Sequence, residues 1–257
     1  MSKGFVIGFL VGLSLLAVFG TGLSGSKQKD IELQKYQAEF AHATPVQLNV
    51  MTPKQRLHSR IHNGAGMKVG GRTISGWLAS YRGQRIVLAT DILGRRFLTS
   101  AEPEPPEDCL ARFAKESDAV IRGKVTSKVS QITEDDSFLF TDYDVVVLEV
   151  FKNNAANPLD PGAEITFTSL GGEIVVDEVI IKAGGNGIPL LPISTKDVLL
   201  FMKFVPETSS YKLTQYDGSF ELDGTSARPL AGGFPLAQDV YRNQSGFLKM
   251  LRAVSNK

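Results

Sequence analysis

Residues 143–151 read Tyr-Asp-Val-Val-Val-Leu-Glu-Val-Phe. In an extended chain successive side chains point to opposite faces. Val146, Leu148 and Val150 then point one way, and Tyr143, Val145, Val147 and Phe151 point the other. Both faces are apolar, so the pattern predicts a central strand covered on both sides. We expect Val146, Leu148 and Val150 to share one buried face. Cover for Val145 and Val147 is expected from a C-terminal helix over Leu236–Val254, which carries Val240, Phe247, Leu248 and Leu251.

Working outward, more strands precede and follow this one. Ala119–Val129 is β-rich and holds Gly123, and an interior glycine marks a bend or bulge. Ile165 and Phe167 alternate with Thr166 and Thr168, which predicts a half-exposed strand with the threonines facing out. Glu173–Lys182 and Val198–Val205 continue the series. Tyr211–Gln215 and Ser219–Leu222 flank Tyr216-Asp217-Gly218, a hairpin signal because glycine accepts positive φ. Asp108–Lys115 suits a short helix with Leu110, Phe113 and Ala114 on one side. Before it, residues 102–107, Glu-Pro-Glu-Pro-Pro-Glu, form a stiff, extended linker. Further back, Thr73–Ser80 and Arg85–Ile92 flank Arg82-Gly83-Gln84 and predict a hairpin, while Asp30–Ala43 has a helical pattern. The expected organisation is 1–29, a signal peptide or membrane anchor with a short linker; 30–101, a helix plus β-hairpin region; 102–107, the linker; and 108–257, a β domain ending in a helix.

The N-terminal part decides location. Phe5–Leu23 carries no charge; Lys3 precedes it and Lys27 and Lys29 follow. As a helix, a run of this length rises about 28 Å, close to the hydrocarbon thickness of a bilayer. Two readings stand. In the first, a basic start, an apolar core and the small residues Gly20, Gly22 and Ser24 make a cleaved signal peptide. In the second, the run is an uncleaved anchor. Both place the body outside the cytoplasm. No cysteine follows the apolar core, which argues against a lipoprotein anchor.

Composition excludes several classes. The 257 residues are 42% hydrophobic and 21% charged, a globular balance. The net charge of +1 gives no general attraction to nucleic acid, so no nucleic-acid partner is expected. The single cysteine, Cys109, permits neither an intramolecular disulfide nor a thiolate cluster.

One resemblance emerges. Ser117-Asp118-Ala119-Val120-Ile121-Arg122-Gly123-Lys124-Val125, then Tyr143–Lys152, then Gly162–Phe167, resemble the netrin-like module, the β-barrel also found in tissue inhibitors of metalloproteinases. The stretch is also similar to a set of bacterial secreted domains that share these pieces. Those add a Gly-Gly turn, here Gly171-Gly172, and a later strand, here Lys196–Phe201. The resemblance covers residues 114–223 and implies an OB-like barrel. The expected fold is thus mainly β: an OB-like barrel of five to six strands with flanking helices, preceded by an N-terminal apolar helix and a small β-hairpin region. The inhibitors chelate a protease zinc through an amino-terminal cysteine. Cys109 is internal, so that mechanism does not carry over.

Candidate sites are few. His58 and His62 have the spacing of two ligands on one helical face. No glutamate lies between them and Arg60 brings positive charge, so they read as solvated polar residues. Cys109, beside the linker, reads as a helix-packing residue. Glu134-Asp135-Asp136 reads as a solvated acidic turn rather than a calcium loop, because it lacks further ligands at fixed spacing. Gly184-Gly185-Asn186-Gly187 lacks the lysine and hydroxyl residue of a phosphate loop. Trp77, Tyr81 and Arg82 fit an inward-packed hairpin better than a binding surface. Arg56, Arg60, Arg72, Arg82, Arg85, Arg95 and Arg96 make the region before the linker basic, which suits anionic lipid or cell-wall polymer. No residue is assigned a catalytic, cofactor-binding or metal role, and no cofactor is expected. The expected function is a non-catalytic binding or structural module of the cell envelope. Its partner is an envelope protein or polymer of unknown identity, with the membrane engaged through the N-terminal helix if uncleaved. The alternative is a secreted or anchored hydrolase whose Asp/Glu acid and base lie on different strands. The absence of a nucleophile motif favours the module.

Overall fold

The computed structural model describes residues 43–47, 50–63, 73–76, 86–88, 105–176, 179–184, 190–193, 195–214, 218–230 and 242–255. All lie within one compact unit, Ala43–Lys257. The architecture is mainly β, with two sheets and flanking helices.

Three helices of ten or more residues are described. α1, Pro53–His62, starts on a capping box: Gln55 N–H donates to the Thr52 hydroxyl, and Thr52 N–H donates to the Gln55 side chain. Pro53 at the first helical position fits because its missing N–H would have no partner there anyway. α2, Pro106–Glu116, starts the same way at Pro106, with Glu107 and Asp108 favourably placed in the first turn. It buries Cys109, Leu110, Phe113 and Ala114. α3, Gln244–Ser255, buries Phe247, Leu248 and Leu251; the earlier half of the expected helix, with Val240, lies outside the described residues.

The larger sheet is built on β3 (Ala119–Ile132), β4 (Leu139–Lys152) and β5 (Glu164–Leu170), an antiparallel meander. β8 (Asp197–Val205) pairs antiparallel with β3. β9 (Ser210–Leu213) pairs antiparallel with β8 and parallel with β5. β10 (Ser219–Leu222) pairs with β8 and with β11 (Ala227–Pro229). The smaller sheet has the order β1 (Thr44–Pro45), β6 (Gly172–Val176), β7 (Val179–Ala183), β2 (Ile86–Leu88). β1 and β2 flank the β6–β7 hairpin in parallel, so described residues before the proline-rich stretch complete a sheet with residues after it.

Two main cores result. Inside the curved larger sheet, Tyr143, Val145, Val147, Phe167, Leu200 and Tyr211 pack with further apolar residues. Outside it, α2 and α3 cover Val120, Leu199, Phe201 and Phe220. A third cluster joins the smaller sheet to the turn end of β3–β4 through Ile132, Leu139, Leu170, Ile174 and Ile181.

Several expectations need correction. On β4 the fully buried face is Tyr143–Val145–Val147; Leu148 is 41% exposed. The cover over Val145 and Val147 is the opposite wall of the same curved sheet, not the C-terminal helix, which lies over β8 and β10. Thr168 is buried, not solvent-facing. The expected strand over residues 173–182 is two strands that reverse between Val176 and Val179. Ile86–Leu88 is a strand but pairs parallel with β7, and Ile74–Gly76 is helical, so these residues do not form the expected hairpin; residues 77–85 are outside the described set. β9 and β10 do not pair with each other. They lie end to end along one edge of β8: Thr214 N–H donates to the Phe201 carbonyl, and the Gly218 carbonyl accepts from Phe201 N–H; residues 215–217 lie outside the described residues. The reversal from β8 to β9 occurs at the 3-10 turn Pro206–Thr208.

Gly123 is where the sequence places a bulge, and register shifts occur beside it. A Cβ at Gly123 would sit 2.6 Å from Val145 Cγ1 and 3.0 Å from the Val146 carbonyl, so only glycine lets β3 cross so close to β4.

Candidate functional site

The site is built where α1 lies on the outer face of β4 and β5. On these strands Tyr143, Val145, Ile165 and Phe167 point into the core. Alternation therefore sends Phe140, Asp142, Asp144, Thr166 and Thr168 to the outer face. Asp142 and Thr168 are register partners across β4–β5, and Thr168 is the partner of Lys212 across β5–β9.

α1 presents polar residues to that face: His58, Ser59 and His62 are its buried positions. His58 Nδ1 donates to Asp142 Oδ2 at 2.7 Å. His62 Nε2 hydrogen-bonds Thr168 Oγ1 at 2.9 Å, and its ring stacks on Phe140 with centroids 5.8 Å apart. Lys54 Nζ donates to Thr166 Oγ1 at 3.0 Å. The Ser59 hydroxyl accepts from Glu134 N–H, while Arg56 and Arg60 pair with the Glu134 carboxylate at 3.6 and 3.3 Å. α1 also packs against the 3-10 turn Pro206–Thr208. A small cleft of about 160 Å³ opens beside it, lined in part by Val50, Arg56, Gln131 and Glu134.

The electrostatics of this seat are unusual. Burial, with smaller contributions from Lys212 and His58, pushes the His62 pKa down from 6.5 to about 4. His62 is therefore neutral when seated at neutral pH. His58 Nε2 and Asp142 Oδ1 are buried and have no hydrogen-bond partner among the described residues. Each such group carries a desolvation cost that no contact returns.

The two histidines are thus buried in the fold rather than solvated, because α1 turns its polar face inward. Among the described residues no group of three or more His, Cys, Asp or Glu could hold a metal ion. Cys109 packs in the α2 core. Glu134, Asp135 and Asp136 form the β3–β4 turn. There Asp135 accepts from the Ser137 hydroxyl, and Asp136, at φ 55°, accepts from Ser75 N–H. Trp77, Tyr81, Arg82, Gly185, Asn186 and Gly187 lie outside the described residues, as do Arg72, Arg85, Arg95 and Arg96 among the basic set. Asp142 and Phe140 were not singled out by the sequence, and Thr168 was named only as an outward-facing strand position. The one local signal was Asp142 and Asp144 flanking Tyr143, two polar positions on one face of an otherwise apolar strand.

No helix among the described residues is long and apolar enough to cross a membrane, and Phe5–Leu23 lies outside them. No protein-family model matches the chain, and no curated protein matches it.

Proposed function

We propose that the protein is an exported, non-catalytic binding module of the cell envelope, built on an OB-like barrel of the netrin-like kind. The observation that carries the reading is the double pairing of β9, parallel to β5 and antiparallel to β8. With β3–β4–β5 as a meander and β8 beside β3, the pairings run in a ring of five strands. A barrel of this type binds through the face of its second and third strands and the loops at their ends, and needs no titratable centre. In this chain that face is the outer side of β4–β5, with the turn 133–138 and the 3-10 turn 206–208 at its margins. Export rests on the uncharged run Phe5–Leu23 after Lys3.

The test has two arms. Residues 1–30 fused to a reporter active only outside the cytoplasm should give an active fusion; an inactive but stably expressed fusion removes the export reading. Soluble cell-wall oligosaccharides and an anionic wall polymer, titrated into the full chain between pH 7.5 and pH 4.5, should perturb amides of β4 and β5 at some pH in that range without being degraded. Degradation of either polymer would favour the hydrolase instead.

A further inference from the structure

We propose that α1 is a releasable strap: a segment of the chain itself that occupies the binding face of β4–β5 and leaves it on acidification. The inference rests on the barrel reading for the meaning of that face. The seat itself stands on observed contacts. α1 touches every part of the surface such barrels use: Asp142 on β4, Thr166 and Thr168 on β5, Glu134 in the first loop, and the 3-10 turn in the last. While α1 is seated Phe140 and Thr168 are fully buried and only 14% of the Asp142 side chain is exposed, so a ligand can use this face only after α1 leaves it.

The seat is built to come apart. Its three buried positions are histidine, serine and histidine, while Leu57 is 43% exposed. Little apolar area holds it down, and segments held that way open locally at low cost. The unpartnered His58 Nε2 and Asp142 Oδ1 lower that cost further.

Protonation supplies the trigger. The ionisable groups facing His62 are His58 on its own helix and Lys212 on β9; Asp142 on β4 is paired with His58. Glu207, in the 3-10 turn packed against α1, and Glu134, paired with Arg56 and Arg60, are the acidic groups of the remaining neighbours. Among the described residues no carboxylate hydrogen-bonds His62, so a proton gained there faces burial and a lysine. The seated His62 has a pKa of about 4 against 6.5 in water, so the released helix binds the proton more tightly. The His62 contribution to seating is fully present above about pH 6.5 and is progressively lost as pH falls toward 4, by up to roughly a hundredfold in the seating equilibrium.

Hydrogen exchange of the full chain at pH 7.5 and pH 4.5, corrected for intrinsic rates, tests this. Residues 53–62 and the amides beneath them in β5 should lose protection at the lower pH, while β3 and β8 keep theirs. In His62→Gln, which retains a hydrogen-bonding end without the titration, residues 53–62 should respond to pH far less. Exchange of α1 that never changes, or changes only together with β3 and β8, overturns the strap. An undiminished pH response in H62Q overturns His62 as its trigger. The comparison within the unmodified protein decides the first point even where H62Q does not fold. No ligand is used, so failure here leaves the binding-module reading to its own test.

Discussion

Phe167 is fully buried in the inner core, whereas Leu148 is 41% exposed on the outer side of the neighbouring strand. Phe167→Ala should therefore cost about 3–5 kcal/mol. Leu148→Ala should stay within about 0.5 kcal/mol, as surface changes do. Chemical denaturation of both variants checks this, and similar costs would mean that β4 faces the other way. Within residues 143–151 Asp144 on one face is matched by Glu149 on the other, and the rest are apolar, so the local pattern does not decide between the faces. Only the curvature of the sheet, a property of distant pairings, chooses Val147 over Leu148. Asp142 is a second residue-scale case. Asp142→Ala removes the acceptor of buried His58 Nδ1, at about 1–3 kcal/mol. That cost should appear as faster exchange in residues 53–62. Unchanged exchange there would show that the pair does not hold α1. His58 and Asp142 stand 84 positions apart. Helical spacing revealed that His58 and His62 share a face, but not that the face is turned inward.

At the scale of the element, the β6–β7 hairpin is held by a polar seam. Gly172 lies where a Cβ would come 2.6 Å from Thr141 Oγ1 and 2.8 Å from Ser130 Oγ, two hydroxyls that bond each other at 2.8 Å. Gly172→Ala should cost about 1–3 kcal/mol by overpacking, measurable as a lower denaturation midpoint. Next along β6, Glu173 meets Lys128 Nζ at 2.8 Å and Lys182 Nζ at 3.2 Å. Burial alone would raise its pKa, but the two lysines outweigh burial and hold it below the usual carboxylate range. A carboxylate lowered in this way stabilises the fold above its unfolded pKa, about 4.3, and that support is lost as pH falls through the lower native value. Melting temperature should accordingly fall with pH below about 4.3 in the natural protein, and less steeply in Glu173→Gln. Parallel slopes would remove Glu173 from the account. The sequence showed β character in Glu173–Lys182, though as one strand rather than two, and that Gly123 interrupts β3. It did not show that β9 and β10 share one edge of β8, since a turn signal reports local chain geometry and not the partner that lies alongside.

For the whole molecule, β1, β2 and α1 tie the residues before the proline-rich stretch to the domain after it. A fragment starting at residue 105 should keep β-type circular dichroism but melt at a lower temperature than residues 43–257. Loss of β1 and β2 bares both edges of the β6–β7 hairpin, and loss of α1 exposes Phe140 to water. Equal melting temperatures would make the tie incidental. β8 has a different kind of consequence. Val198, Leu200 and Met202 fill the inner core, and Leu199 and Phe201 fill the core under the helices. An ordinary half-exposed strand offers every second position to drift, but this run offers none. The two cores are also joined through one backbone, so a volume change on one side shifts the side chains of the other. Substitutions that would be neutral in separate cores should therefore depend on one another across this strand. A saturation scan of 198–202 should find five consecutive positions that accept only apolar residues, with the tolerated size at 199 or 201 changing when 200 is altered.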